Sequence, residues 1–119
     1  MTLPRAFAEW FAHNGWQPHP HQLALLDAQQ DTLLIAPTGG GKTLAGFLPS
    51  LVDLHGDAPK GLHTLYVSPL KALTADVARN LMRPIEGIGL RVRVEDRTGD
   101  TPQSQRRRQR ADPPHILLT

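Results

Sequence analysis

Three adjacent segments carry most of the information about the fold: Thr32-Leu33-Leu34-Ile35, then Ala36-Pro37-Thr38-Gly39-Gly40-Gly41-Lys42-Thr43, then Leu44-Ala45-Gly46-Phe47-Leu48. An apolar strand, a glycine-rich loop ending in Gly-Lys-Thr and a following helix are typical of a phosphate-binding loop. Ala36 stands where the general motif has glycine, whereas Gly41, Lys42 and Thr43 keep its spacing. The pattern predicts a nucleoside triphosphate with Mg²⁺ as the ligand.

Each part of this loop has a chemical role in the prediction. Glycines let backbone N–H groups approach phosphate oxygens, and the helix that follows directs the positive end of its dipole at them. We expect Lys42 and Thr43 to be the catalytic pair, because an ammonium offsets phosphate charge and a hydroxyl can ligate Mg²⁺. The predicted nucleotide-binding residues of the loop are Thr38, Gly39, Gly40, Gly41, Lys42 and Thr43.

A second Mg²⁺ ligand, an acidic residue at the end of a strand, is also needed for triphosphate hydrolysis. The candidates within the chain are Glu95 and Asp96, which follow Val94. The segment before them alternates apolar residues with arginines, which indicates a peripheral strand. We therefore expect the metal-binding acid to lie beyond Thr119 and the chain to be the N-terminal piece of a longer protein.

Hydrophobic periodicity and the turn residues predict alternating helices and strands. The expected helices cover residues 2–14, 20–30, 42–54, 70–82 and a basic segment that Asp100 or Thr101 caps. The expected strands cover residues 32–36, 63–68, 90–94 and 116–118, with 63–68 buried. This order predicts an α/β fold with a mostly parallel sheet and helices on both faces. We assign residues 1–30 to N-terminal helices and residues 31–119 to the nucleotide-binding domain.

Composition is consistent with one soluble domain. The chain has 119 residues, a net charge of +2 and no cysteine, so disulfides and thiolate metal sites are excluded. No apolar run is long enough to span a membrane, and the default location is the cytoplasm. Seven of the thirteen lysines and arginines lie between Arg91 and Arg110. Such a cluster fits either a solvated helix face or a contact with nucleic acid.

The loop and the residues before it resemble motif I and the Q-motif region of superfamily 2 helicases. The second of these is Gly15-Trp16-Gln17-Pro18-His19-Pro20-His21-Gln22. The resemblance implies that Gln22 binds the adenine of ATP, for which an amide is suited because it both donates and accepts hydrogen bonds. The alternative for Gln22 is an ordinary position on a helix surface.

Two later segments are similar to further motifs of the same family. Ser68-Pro69-Leu70-Lys71-Ala72-Leu73 resembles motif Ia, and Arg97-Thr98-Gly99-Asp100-Thr101 resembles the Thr-Gly-Asp element. His115-Ile116-Leu117-Leu118-Thr119 resembles the strand that leads into a Thr-Pro-Glu motif. The resemblance implies that these segments contact a nucleic-acid strand. The predicted contact residues are Pro69, Leu70, Lys71, Thr98, Gly99, Arg106 and Arg107.

The residues of these motifs most resemble those of the Lhr group, including bacterial ligase-associated DEXH-box helicases. The resemblance implies a RecA-like domain, ATP and Mg²⁺ as cofactors, and an ATP-dependent DNA helicase of bacterial DNA repair with a ligase or nuclease partner. The DEXH box and the second domain are not in the sequence, so we expect the isolated chain to be inactive. The alternatives are a non-catalytic nucleic-acid-binding module or another P-loop enzyme. A GTPase is disfavoured because its guanine-binding Lys-x-Asp run is absent.

Overall fold

A parallel sheet organises the chain in the computed structural model, which describes residues 3–35, 42–56 and 58–119. The strands β1 (Thr64–Tyr66), β2 (Val94–Asp96) and β3 (Ile116–Leu118) lie in the order β1-β3-β2. Helices precede and connect them: α1 (Arg5–His13), α2 (Pro20–Leu26), α3 (Lys42–Asp53), α4 (Thr74–Ile88) and α5 (Gln103–Ala111). Both crossovers between parallel strands therefore contain a helix, as parallel pairing requires.

Helices cover both faces of this sheet. Leu118 is paired with Tyr66, and Leu117 is paired with Leu65 and Glu95, so alternate residues of β3 define the two faces. On the first face, the Phe47 ring of α3 packs 5.3 Å from the Tyr66 ring, centroid to centroid. On the second face, α5 side chains bind Glu95. The predicted α/β fold is confirmed.

The core lies on the first face, between the sheet and helices α1, α3 and α4. Ile116 and Leu118 of the central strand are fully buried, as expected for a strand with neighbours on both sides. Helix α1 contributes Phe7 and Phe11, and α4 contributes Leu81 and Ile85. In the described part of the chain, no helix combines the length and the apolar character that a membrane crossing requires.

The strand predicted over residues 32–36 is not present in its described part, residues 32–35. Leu33 is 83% exposed and Ile35 is 85% exposed, so these apolar side chains lack a covering layer. A strand exists only when another strand pairs with it, and periodicity carries no information about that partner. The predicted burial of residues 63–68 is also wrong. In the described sheet β1 is an edge strand, and Val67 is 71% exposed. Burial depends on the position of a strand in its sheet, which periodicity does not encode.

The helix predicted over residues 70–82 is displaced toward the C-terminus. It begins as a 3₁₀ turn (Lys71–Leu73) and continues as α4 through Pro84 to Ile88. Gly89 then ends it with φ at +81°, a left-handed conformation that glycine adopts without strain. The predicted cap of the basic helix is also wrong. Pro102 is the N-cap of α5, and Thr101 makes a different hydrogen bond, described below.

Candidate nucleotide and nucleic-acid site

The two segments predicted to contact nucleic acid meet at one edge of the sheet. Ser68 lies just after β1 and Arg97 just after β2, so both segments leave from the carboxyl ends of parallel strands. Binding sites of open parallel sheets form at this edge. An ion pair joins the two segments, since Lys71 Nζ donates a hydrogen bond to Asp100 Oδ2. That hydrogen bond holds the pKa of the Asp100 carboxyl below its ordinary value.

The loop after β2 is ordered by its own hydrogen bonds. The Thr98 N–H donates to Thr101 Oγ1 at 2.9 Å, and the Asp100 N–H donates to Thr98 Oγ1 at 3.2 Å. Arg106 Nη2 of α5 donates to the Thr98 carbonyl at 2.6 Å. The Thr98 backbone is therefore held at both its N–H and its carbonyl, while Gly99 and Asp100 remain exposed at the tip.

The two predicted arginine contacts differ in their surroundings. Arg107 is exposed on α5. Arg106 is half-buried, and its Nη2 is bound to the Thr98 carbonyl. Its Nε is buried and has no hydrogen-bond partner among the residues that the structure describes. The arrangement of α5 therefore directs Arg106 toward the loop.

The turn after β1 is exposed and capped locally. The Leu70 N–H donates to Ser68 Oγ at 3.2 Å, and the Leu73 N–H donates to the Leu70 carbonyl at 3.0 Å. Pro69 and Leu70 are exposed, and Leu70 retains 58% of its accessible surface. These residues present backbone and apolar surface next to the Lys71 ammonium.

Glu95, a candidate metal ligand from the sequence, is part of a network that joins β2 to α5. Its Oε1 accepts from Arg108 Nη2 at 2.5 Å and from Gln109 Nε2 at 3.2 Å, and its Oε2 accepts from Arg93 Nη2 at 3.0 Å. Burial alone raises the pKa of this carboxyl, but the hydrogen bonds from Arg108, Arg93 and Gln109 outweigh burial and lower the pKa to about 2. Because its oxygens bind these donors, Glu95 has a structural role.

The nucleotide side of the site is described from Lys42 onward, whereas Thr38, Gly39, Gly40 and Gly41 lie outside the described residues. Lys42 begins α3, and the side chains of Lys42 and Thr43 are exposed. Lys42 borders a cleft of about 460 Å³ between α2, the segment 30–34 and α3. The cleft is lined by Leu25, Ala28, Gln30, Thr32, Leu34, Lys42, Gly46 and Pro49.

Gln22 is buried, which excludes the surface position considered as its alternative. Only 2% of its surface is accessible, and its Oε1 accepts a hydrogen bond from the His19 N–H at 2.8 Å. This bond satisfies a backbone donor at the start of α2.

Sequence analysis missed three contacts that build the site: Asp100 with Lys71, Arg106 with the Thr98 carbonyl, and Gln109 with Glu95. Their partners are 29, 8 and 14 residues apart in the chain. The two partners of each contact lie in different elements or loops, so the period of a single helix or strand does not connect them. The one available signal was the opposite charge of Lys71 and Asp100 within two motifs expected on the same surface.

Known proteins are similar to nearly the whole chain. The chain is 44% identical to the Lhr helicase/probable uracil glycosylase of Mycolicibacterium smegmatis, over 93% of this chain and 8% of that protein. It is 36% identical to the ATP-dependent helicase Lhr-Core of Methanocaldococcus jannaschii, over 98% of this chain and 16% of that protein. The chain therefore spans less than a fifth of these relatives.

A solved structure is similar over almost the whole chain. The Mycobacterium smegmatis helicase Lhr bound to ssDNA and AMP-PNP matches with a TM-score of 0.88 and 42% identity, over 98% of this chain and 17% of that one. The model of the DEAD/DEAH box helicase family matches residues 19–119. This range includes Gln22, the glycine-rich loop and the two segments that follow β1 and β2. A nucleotide kinase or GTPase is thereby excluded, and the chain belongs to the DEAD/DEAH box helicase family.

Proposed function

We propose that this chain is the ATP-binding and strand-contacting part of an ATP-dependent DNA helicase of the Lhr group. In this proposal, residues 31–119 are the N-terminal part of a RecA-like domain and residues 1–30 form the helices that carry Gln22. The observation that carries the proposal is the meeting of the two predicted strand-contacting segments through Lys71 and Asp100. They come together at the edge of a parallel sheet where such folds bind ligands.

The proposed strand-contacting surface combines charge with accessible turn backbone. Lys71 and Arg107 are exposed cations, which bind phosphates through electrostatic attraction and the release of counterions. Pro69, Leu70, Thr98 and Gly99 supply exposed or half-exposed turn backbone, which can approach the strand closely. Because its guanidinium binds the Thr98 carbonyl, Arg106 acts in this proposal by positioning the loop.

The proposed nucleotide site lies at the start of α3. Lys42 and Thr43 have exposed side chains, and the cleft beside Lys42 has the size of a small-molecule site. In the proposal the residues 38–43 hold the phosphates of ATP, Thr43 ligates Mg²⁺, and Gln22 binds adenine. Bound ATP supplies the phosphoanhydride bond whose hydrolysis drives a helicase. By the family resemblance, we also propose a bacterial cytoplasmic protein of DNA repair that works with a ligase or nuclease.

The salt dependence of DNA binding tests the strand-contacting surface. Anisotropy of a fluorescein-labelled single-stranded oligonucleotide gives the association constant at several salt concentrations. We expect Lys71→Ala to weaken binding and to reduce the slope of log Kobs against log [salt] by about 1, because one phosphate contact is lost.

Lys60→Ala is the matched control. Lys60 is an exposed lysine four residues before β1, at the amino end of that strand, opposite the proposed surface. This variant loses the same charge and should leave the slope unchanged. Equal effects of Lys71→Ala and Lys60→Ala would show that affinity follows net charge alone and would overturn the assignment of the surface.

A further inference from the structure

The cation at the centre of the proposed surface already has an anionic partner. Lys71 and Asp100 come from different segments, and their side chains are 57% and 79% exposed. Ion pairs this exposed add little to folding stability, because water screens them and ordering two side chains costs entropy. Folding stability therefore does not explain why a carboxylate pairs with Lys71, the ammonium group that is proposed to contact the nucleic-acid strand.

The position of Asp100 suits an exchange between two partners. Its backbone is held in the loop, since the Asp100 N–H donates to Thr98 Oγ1 at 3.2 Å and Arg106 holds the Thr98 carbonyl. Release of the Lys71 ammonium therefore needs only a rotation of exposed side chains, without a change in the loop. The hydrogen bond from Lys71 lowers the pKa of the Asp100 carboxyl, so this group remains charged at neutral pH.

We infer that Asp100 is a built-in competitor for nucleic-acid phosphate: its carboxylate occupies Lys71 in the free protein and exchanges with a backbone phosphate when the strand binds. This inference rests on the proposed function, because it requires that the strand uses Lys71. A carboxylate and a phosphate offer the same ammonium similar charged oxygens. Lys71 is then paired in both states. It binds a phosphate while the nucleic-acid strand is bound, and it binds Asp100 again when that strand dissociates.

The exchange has a consequence for affinity and for dissociation. Binding must first break the internal ion pair between Lys71 and Asp100. Removing the carboxylate should therefore strengthen binding, mainly through slower dissociation, because the competitor that recaptures Lys71 is lost. Exposed ion pairs correspond to about a two- to fivefold change in an equilibrium constant, which sets the expected size of the effect.

The test uses Asp100→Asn, which removes the charge and retains the shape of the side chain. Binding of fluorescein-labelled oligo(dT) is measured by anisotropy, and dissociation is measured by stopped flow after addition of unlabelled competitor. Asp112→Asn is the matched control, since Asp112 is an exposed carboxylate that pairs with Arg93 at the far end of α5. We expect Asp100→Asn to bind about two- to fivefold more tightly than Asp112→Asn.

The double variant makes the inference specific to the pair. In the Lys71→Ala background, Asp100→Asn should have no more effect than Asp112→Asn. An Asp100→Asn protein that binds as Asp112→Asn does, or more weakly, overturns the inference, because Asp100 would then be neutral or a support for the loop. If Lys71→Ala does not weaken binding in the first place, the proposed function itself fails, so the two failures are distinguishable.

Discussion

The network around Glu95 makes the sharpest prediction about what holds α5, with Arg106 and Arg107, against the sheet. Glu95→Gln removes the charge that Arg93, Arg108 and Gln109 share. It also places an amide NH₂ group where donors already converge, and arginine has no acceptor to offer it. The substitution therefore weakens the network in two ways. It removes the charge attraction between residue 95 and the arginines, and it places a hydrogen-bond donor opposite their N–H groups.

The lowered pKa of Glu95 sets the size of the effect. A decrease from 4.5 to about 2 corresponds to at most about 3 kcal/mol of stabilisation of the charged form. Although only 15% of the side chain is exposed, the arginines around it are nearly half exposed and are partly screened by water. Screening reduces the expected loss of unfolding free energy for Glu95→Gln to about 1–2 kcal/mol at pH 7.

The pH dependence follows from the direction of this shift. Because the folded-state pKa is lowered, the contribution of Glu95 is fully present above the unfolded value of 4.5. It is lost as the pH falls from there toward the folded value of about 2. The difference in stability between the wild type and Glu95→Gln should therefore shrink on acidification through this range.

Urea denaturation followed by far-UV circular dichroism measures both quantities at pH 7 and pH 3. Asp112→Asn is the control, since it removes an equal charge from a 63% exposed partner of Arg93 and should change stability less. Equal destabilisation by Glu95→Gln and Asp112→Asn would show that the Glu95 network adds nothing beyond an exposed ion pair. An equal loss for Glu95→Gln at both pH values would contradict the lowered pKa of Glu95.

Three further predictions concern packing at two glycines, ATP hydrolysis and adenine recognition. At Gly87 of α4, an added Cβ would lie 2.5 Å from Trp10 Nε1, so Gly87→Ala should destabilise by about 1–2 kcal/mol. An added Cβ at Gly46 in α3 meets no atom of the described residues within 4 Å, so Gly46→Ala should stabilise by about 0.5–1 kcal/mol. Thermal or urea unfolding distinguishes the two variants, and effects of equal sign would contradict the packing argument. Lys42→Ala in the longer protein should nearly abolish ATPase activity, and near-normal turnover would contradict its assignment to the phosphates. Gln22→Ala should weaken ATP binding more than GTP binding in a competition assay, and equal losses would argue against adenine recognition.

The differences between expectation and structure have a common physical origin. The helix beginning at Lys42 and the helix containing Phe7 and Phe11 follow from local spacing and were predicted from it. The strand expected over residues 32–35 depends on pairing, which local spacing does not encode. The cap expected from Asp100 or Thr101 was equally local, but Asp100 pairs with Lys71 of the segment after β1, and Thr101 accepts a hydrogen bond from the Thr98 N–H.

The glycine-rich loop, the order of the motifs, the α/β alternation and the family were all predictable from the sequence. Each depends on residues that are adjacent in the chain or that recur at a helical or strand period. The folded chain was needed to show that Lys71 pairs with Asp100, that Arg106 binds the Thr98 carbonyl and that Glu95 binds arginines. These contacts depend on the register of β1 and β2 against β3, which brings distant segments to one edge of the sheet.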